Sequence, residues 1–183
     1  MGKKSLDRKS ARKFIFENRN EGKSDQEIYN ELTQLYYDKK SLALLITGTP
    51  TAEDKAEYSL YNNILLSFLA ATILLKVFFV FNLSIQEGQA WALFLIFIVP
   101  LLNVYFIYEI ARYNAPAYRF CGILTLLSFS QSFKNSQDAF DIIISIVLCG
   151  AISGLSFYLD NKLFPKYKPN KLEKDSNGDY LFF

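Results

Sequence analysis

The chain of 183 residues reads as an all-α polytopic membrane protein, with four transmembrane helices preceded by a small cytosolic helical module. Three observations predict that class. The run Trp91 to Glu109, WALFLIFIVPLLNVYFIYE, is the most apolar in the sequence, and 21 residues between Glu87 and Glu109 carry no charge. A helix needs roughly 20 such residues to cross the hydrocarbon core of a bilayer. Charge is also segregated: 11 of the 20 Lys and Arg residues lie in positions 1–60 and five more in 162–174, so a hydrophobic block is bracketed by basic ends. Helix caps and helical spacing of apolar residues mark the first 60 positions. The resulting division is a basic cytosolic module over 1–57, a membrane domain over 58–161 and a polar cytosolic tail over 162–183.

In the module, Leu6, Ala11, Phe14 and Ile15 form a weak amphipathic stripe, with Lys4, Arg8 and Arg12 recurring every four residues on another face. Gly22-Lys23-Ser24 has the look of the end of a phosphate-binding loop, but Glu17 stands where that loop needs a glycine, which leaves a helix cap. Ser24-Asp25-Gln26-Glu27 has the form of a capping box, followed at helical spacing by Ile28, Leu32, Leu35 and Tyr36, so a helix is predicted to about Lys40. Leu42, Leu45 and Ile46 predict a third helix, stopped at Thr47-Gly48-Thr49-Pro50. Thr51 with Asp54 reads as another cap, opening one long helix from about Ala52 to Phe81 that runs from the module into the membrane.

Four spans are predicted at about 61–81, 90–110, 116–133 and 139–160. Lys76 in the first is placed to snorkel to the interface. Pro100 and Asn103 fall near the middle of the second, where lipid offers no partner for a polar group. If copies assemble around an axis, Asn103 should face water or a neighbour; if each stands alone, it should bond within its own bundle. The third span is short, with 14 uncharged residues between Arg119 and Lys134. Charge resolves it: with four spans and an inside N-terminus, 18 Lys and Arg lie on the cytoplasmic side and Lys134 outside, whereas three spans would put the five tail lysines outside. Both termini are therefore expected in the cytoplasm, with the chain integral to a plasma or inner membrane. No secretory signal is read in the first 13 residues.

Several residue sets could carry chemistry. Cys121, Thr125, Ser128 and Ser132 form one small polar stripe, and Ser145, Cys149, Ser153 and Ser156 another, with Gly150 and Gly154 at the spacing that lets helix backbones approach in lipid. From these, Asn103, Thr125, Ser128, Ser132, Ser145, Gly150, Ser153 and Gly154 are the candidate pore or helix contacts. The cysteines read as buried hydrophobes rather than a disulfide. Glu109 and Arg112 are spaced for a helix-surface ion pair, while Lys134, Asp138 and Asp141 read as solvated charges. Lys3, Lys4, Arg8, Lys9, Arg12 and Lys13 are candidate contacts to anionic lipid or a protein partner; nucleic acid is the least favoured, because only Phe14 and Phe16 are near for stacking. The tail ends on the apolar Tyr180-Leu181-Phe182-Phe183, which suggests docking into this chain or a partner.

Histidine is absent, which removes Ser-His catalysis and most zinc sites. No catalytic, cofactor or metal motif is found, so the chain is expected not to be an enzyme and to need no cofactor. Four helices leave little room for two transport repeats around a midplane site, and no internal repeat is read. The expected function is a small multi-pass protein that self-associates as a homo-oligomer, as a pore or channel-like effector regulated by its module. The rival is a membrane-anchored accessory protein that recruits a soluble partner. The layout is similar to that of small multi-span accessory proteins in bacterial defence systems; the likeness is one of segment arrangement, with no motif matched.

Overall fold

A computed structural model describes residues 7–35, 38–87, 98, 100–135, 139–167, 172–176 and 178–182, and of residues 79, 82–87, 129–135 and 139–141 the backbone alone. Seven helices make up the regular structure among the described residues, with one isolated antiparallel bridge. They are α1 (Arg8–Asn20), α2 (Asp25–Thr33), α3 (Lys39–Thr47), α4 (Ala52–Glu87), α5 (Leu101–Ala111), α6 (Ala115–Asn135) and α7 (Ala139–Leu163). The chain divides into two compact units, Met1–Glu57 with Asn161–Phe183, and Tyr58–Asp160.

Local chemistry sets the ends of the short helices in the first unit. α1 stops where Gly22 takes a left-handed backbone, with φ +88°, and the N–H groups of Gly22 and Lys23 return to the carbonyls of Arg19 and Asn18. α2 opens on the expected capping box. The Ser24 hydroxyl accepts from the Glu27 N–H, and the Glu27 carboxylate accepts from the Ser24 N–H at 2.8 Å. The helix does not run to Lys40: it ends at Thr33, and the Asp38 carboxylate accepts from the Lys40 N–H to begin α3. Leu35, beyond that end, is 48% exposed and so gives no burial to hold the helix on. Tyr36 lies outside the described residues, as do Met1 to Leu6. α3 ends at Gly48, and Thr51 caps α4 by accepting from the Asp54 N–H at 3.0 Å.

Helices of 9 to 13 residues are marginal by themselves and depend on burying a face. Ala11 and Ile15 of α1, Ile28, Tyr29 and Leu32 of α2, and Leu42, Ala43 and Ile46 of α3 supply one core. Each large side chain contributes about 1.5–3 kcal/mol by leaving water. One guanidinium joins the three helices. Arg19 donates through Nε to Asp25 at 2.7 Å, through one terminal nitrogen to the Ile46 carbonyl at 3.0 Å, and through the other to the Thr49 carbonyl. It thereby lies against the C-terminal end of α3, where the helix dipole favours a cation.

The C-terminal segment is built into the same unit. Lys174 and Tyr180 form the antiparallel bridge across a turn in which Gly178 has φ +82°, and the Leu181 N–H donates to the Glu173 carbonyl at 3.1 Å. Tyr180 is buried against Tyr29, with the rings edge to face at 6.4 Å, and Phe182 meets the same ring at 5.2 Å. Of the two destinations open to the apolar end, its own chain is the one observed. Phe183 lies outside the described residues.

In the second unit, α4 continues without a break to Glu87, and α6 and α7 run 21 and 25 residues. Two stretches among the described residues are long and apolar enough to cross a membrane, Ala52–Phe78 and Ile142–Leu163. Of the second predicted span, positions 90–97 and 99 lie outside the described residues, Trp91 included. Pro100 sits at the N-cap of α5, where its missing N–H is harmless, and the Val104 N–H donates to its carbonyl. The tight turn between α5 and α6 places Tyr113 at φ 53°, a left-handed conformation that costs a non-glycine residue roughly 1–2 kcal/mol.

Arg19→Ala is expected to lower the stability of the first unit by about 2–4 kcal/mol, because Asp25 and two carbonyls lose their donor together. Arg19→Lys should rescue little, since an ammonium cannot reproduce the fork. Hydrogen exchange of α3 amides in the full chain checks this; unchanged protection would contradict it. A second expectation concerns acid. The Ser24 backbone N–H and hydroxyl hold the Glu27 carboxyl below its ordinary value of 4.5. A depressed pKa gives stability that is present above the unfolded value and lost as pH falls through the folded one. Ser24→Ala removes the hydroxyl but keeps the backbone N–H, so it should partly flatten the acid limb of a pH-stability curve below about pH 4.5.

Candidate functional site

Polar side chains within the apolar second unit are the natural place to look, because each must find a partner that apolar surroundings cannot offer. Two sets occur on α4. At Asn62, 2% exposed, the amide oxygen accepts from the Tyr118 hydroxyl of α6 at 2.6 Å, and that hydroxyl lies 3.2 Å from the Ile110 carbonyl at the end of α5. One residue on, Arg119 donates through Nε and Nη2 to a single oxygen of Asp160 on α7, at 3.0 and 2.8 Å. The ion pair is uneven: the Asp160 side chain is 6% exposed and that of Arg119 41%. The other Asp160 oxygen is buried without a hydrogen-bond partner among the described residues.

The second set lies fourteen residues further along α4, about 21 Å at the helical rise. There Lys76 donates to the Asn103 side-chain oxygen of α5 at 3.3 Å. Asn103 is 7% exposed and bonds within its own bundle, the arrangement expected if each copy stands alone. No carboxylate forms an ion pair with Lys76 among the described residues.

The small-residue stripes divide by role. Ser153 is buried and its hydroxyl donates to the Gly122 carbonyl at 3.3 Å, and a Cβ on Gly122 would come within 2.9 Å of the Phe157 ring. These are contacts of α6 with α7 inside one chain. Ser128 turns its hydroxyl back to the Thr125 carbonyl at 2.8 Å, and Thr125 and Ser145 are half-buried. Gly150 and Gly154 are exposed, with nothing within 4 Å of where a Cβ would stand. The side chains of Ser132, Lys134 and Asp141 and all of Asp138 lie outside the described residues. Glu109 and Arg112 do not pair. Glu109 accepts from the Asn114 amide at 2.5 Å, while Arg112 lies over the Tyr108 ring and donates to its hydroxyl, because the helix ends at Ala111 and the turn carries Arg112 away.

Of the basic residues at the N-terminus, Arg8, Lys9 and Lys13 are exposed, Arg12 is half-buried, and Lys3 and Lys4 lie outside the described residues. Lys13 makes an exposed pair with Glu17 at 3.6 Å, worth at most about 1 kcal/mol. Among the described residues, no three of Cys, Asp and Glu gather as a metal site would require. Sequence reading missed the Arg119–Asp160 pair and the Asn62–Tyr118 bond; the signal was there in two ionisable residues, each within a few positions of a predicted span end.

Compared with known protein families, curated proteins and solved structures, the chain matches none.

Arg119→Leu leaves the Asp160 carboxylate buried without its cation and is expected to cost about 1–3 kcal/mol, reduced from the fully buried case by the exposure of Arg119. Adding Asp160→Leu should recover most of that loss. Thermal unfolding in detergent of the two single variants and the double variant checks it, and a double variant no more stable than Arg119→Leu would contradict it.

Proposed function

We propose that this chain is a four-span membrane protein that self-associates through α7, with both termini on the cytoplasmic side and its first unit acting as the regulator. The observation that carries the reading is the open face at Gly150 and Gly154. The two glycines stand one turn apart on an apolar helix whose most apolar window is only 22% buried within the chain. In lipid, such a face gains contact when a second helix backbone approaches it closely. Asn103 and Ser153 are occupied within the chain, so they fall to the fold and leave the glycine face for other copies. Any pore is then an assembly of several chains around an axis, because four packed helices fill their own centre with side chains.

A second reading has its own support. The C-terminal segment seated on Tyr29 and Gln26 makes the first unit a structure that already accommodates an extended strand of protein, as a recruiting module must. In that reading the membrane unit holds the module at the bilayer, and the exposed Arg8, Lys9 and Lys13 add attraction to anionic lipid.

Gly150→Leu with Gly154→Leu separates the two. Each added side chain enters space with no atom of its own chain within 4 Å, so the fold should tolerate it while close approach of a neighbour is blocked. Crosslinking and light scattering in mild detergent should report loss of the oligomer, and liposomes should lose any ion leak. A wild-type protein that is monomeric in detergent and silent in liposomes would overturn self-association.

A further inference from the structure

We propose that the face of the first unit formed by Gln26, Tyr29 and Lys39 is a recognition site for an extended protein segment carrying a carboxylate, then an aromatic residue, then any residue, then a second aromatic. Asp179-Tyr180-Leu181-Phe182 is its occupant within the chain. This deepens the recruiting reading of the first unit and stands whether or not the protein self-associates.

Each element of the motif meets a different group. Lys39 Nζ lies 2.6 Å from an Asp179 oxygen. The Gln26 side-chain amide donates to the Tyr180 carbonyl at 3.3 Å and accepts from the Phe182 N–H at 3.2 Å. In an extended chain those two backbone groups point to the same side, and one residue of a parallel strand would engage them in the same way. Gln26 thus reads backbone conformation and is indifferent to the residue at position 181. Tyr29 reads the side chains of positions 180 and 182, which an extended chain turns to one face. It is buried, and its hydroxyl lies 3.5 Å from the Tyr180 nitrogen.

The occupant is suited to exchange. Its ion pair is open to water, with side-chain exposures of 50% and 38%, and Leu181 and Phe182 are only half-buried, which leaves Tyr180 as its deeply buried anchor. Being tethered, it competes through effective concentration with any segment supplied from outside. The occupied site is therefore masked rather than absent.

The test uses full-length protein and a chain ending at residue 171, both in nanodiscs, with a fluorescent peptide of residues 172–183 read by anisotropy. The shortened chain should bind the peptide at least tenfold more tightly than the full chain. A full-length variant carrying Tyr180→Ala and Phe182→Ala should bind it as well as the shortened chain does, which removes loss of fold by truncation as an explanation. A peptide with Tyr180→Ala should lose at least tenfold in affinity, and Gln26→Ala in the shortened chain several-fold. Absence of peptide binding to both unmasked chains, or equal binding to masked and unmasked ones, would overturn the proposal. Capture of a soluble protein by the unmasked full-length variant without peptide binding would also overturn it, while leaving recruitment to another surface of the module.

Discussion

The first unit depends on one half-buried cation. Arg19 holds Asp25 at the start of α2 and two carbonyls at the end of α3, and helices this short are marginal alone. The guanidinium suits this role because its donors lie in one rigid plane and point in several directions at once. With the helices so fixed, Ile28, Tyr29 and Leu32 project on one side into the common core, and Gln26 on the same helix meets the returning C-terminal segment. The hydrophobic contacts supply most of the energy, but the guanidinium sets the register in which they meet.

In the second unit the constraint is reversed. Apolar surface is plentiful, and large side chains such as Leu74, Phe78, Ile143 and Val147 are exposed because lipid is their solvent in the proposed setting. What restricts the helices is the need to satisfy Asn62, Asn103 and Asp160, each of which is buried and has its bond on a neighbouring helix. Three polar bonds thereby choose among the many ways apolar helices can be stacked. Ser153 adds a fourth where the absence of a side chain on Gly122 lets Phe157 approach.

The helical class of the chain, the capping box at Ser24, the stop after Thr47 and the start at Thr51 were legible because each is written in residues within one turn of one another. The end of α2 was not, since Leu35 continues the helical spacing but finds nothing to bury against. Ser153 stands in the small-residue pattern, and its hydroxyl donates to the Gly122 carbonyl. Gly122, Arg119 and Asp160 were not singled out as contacts, because the partner of each lies 31 to 41 residues away and periodicity carries no information about which faces meet. Lys76 was assigned to the interface, and its bond to Asn103 depends on two helices being brought side by side.

Tyr29 and Tyr180 are joined across 151 residues of chain, with the whole of the second unit between them. At a synthesis rate of roughly 5–20 residues per second, that interval lasts on the order of ten seconds or more. Throughout it the aromatic face of α2 exists without the segment that covers it. Until residue 180 is made, the newborn chain therefore presents that face to whatever surrounds it.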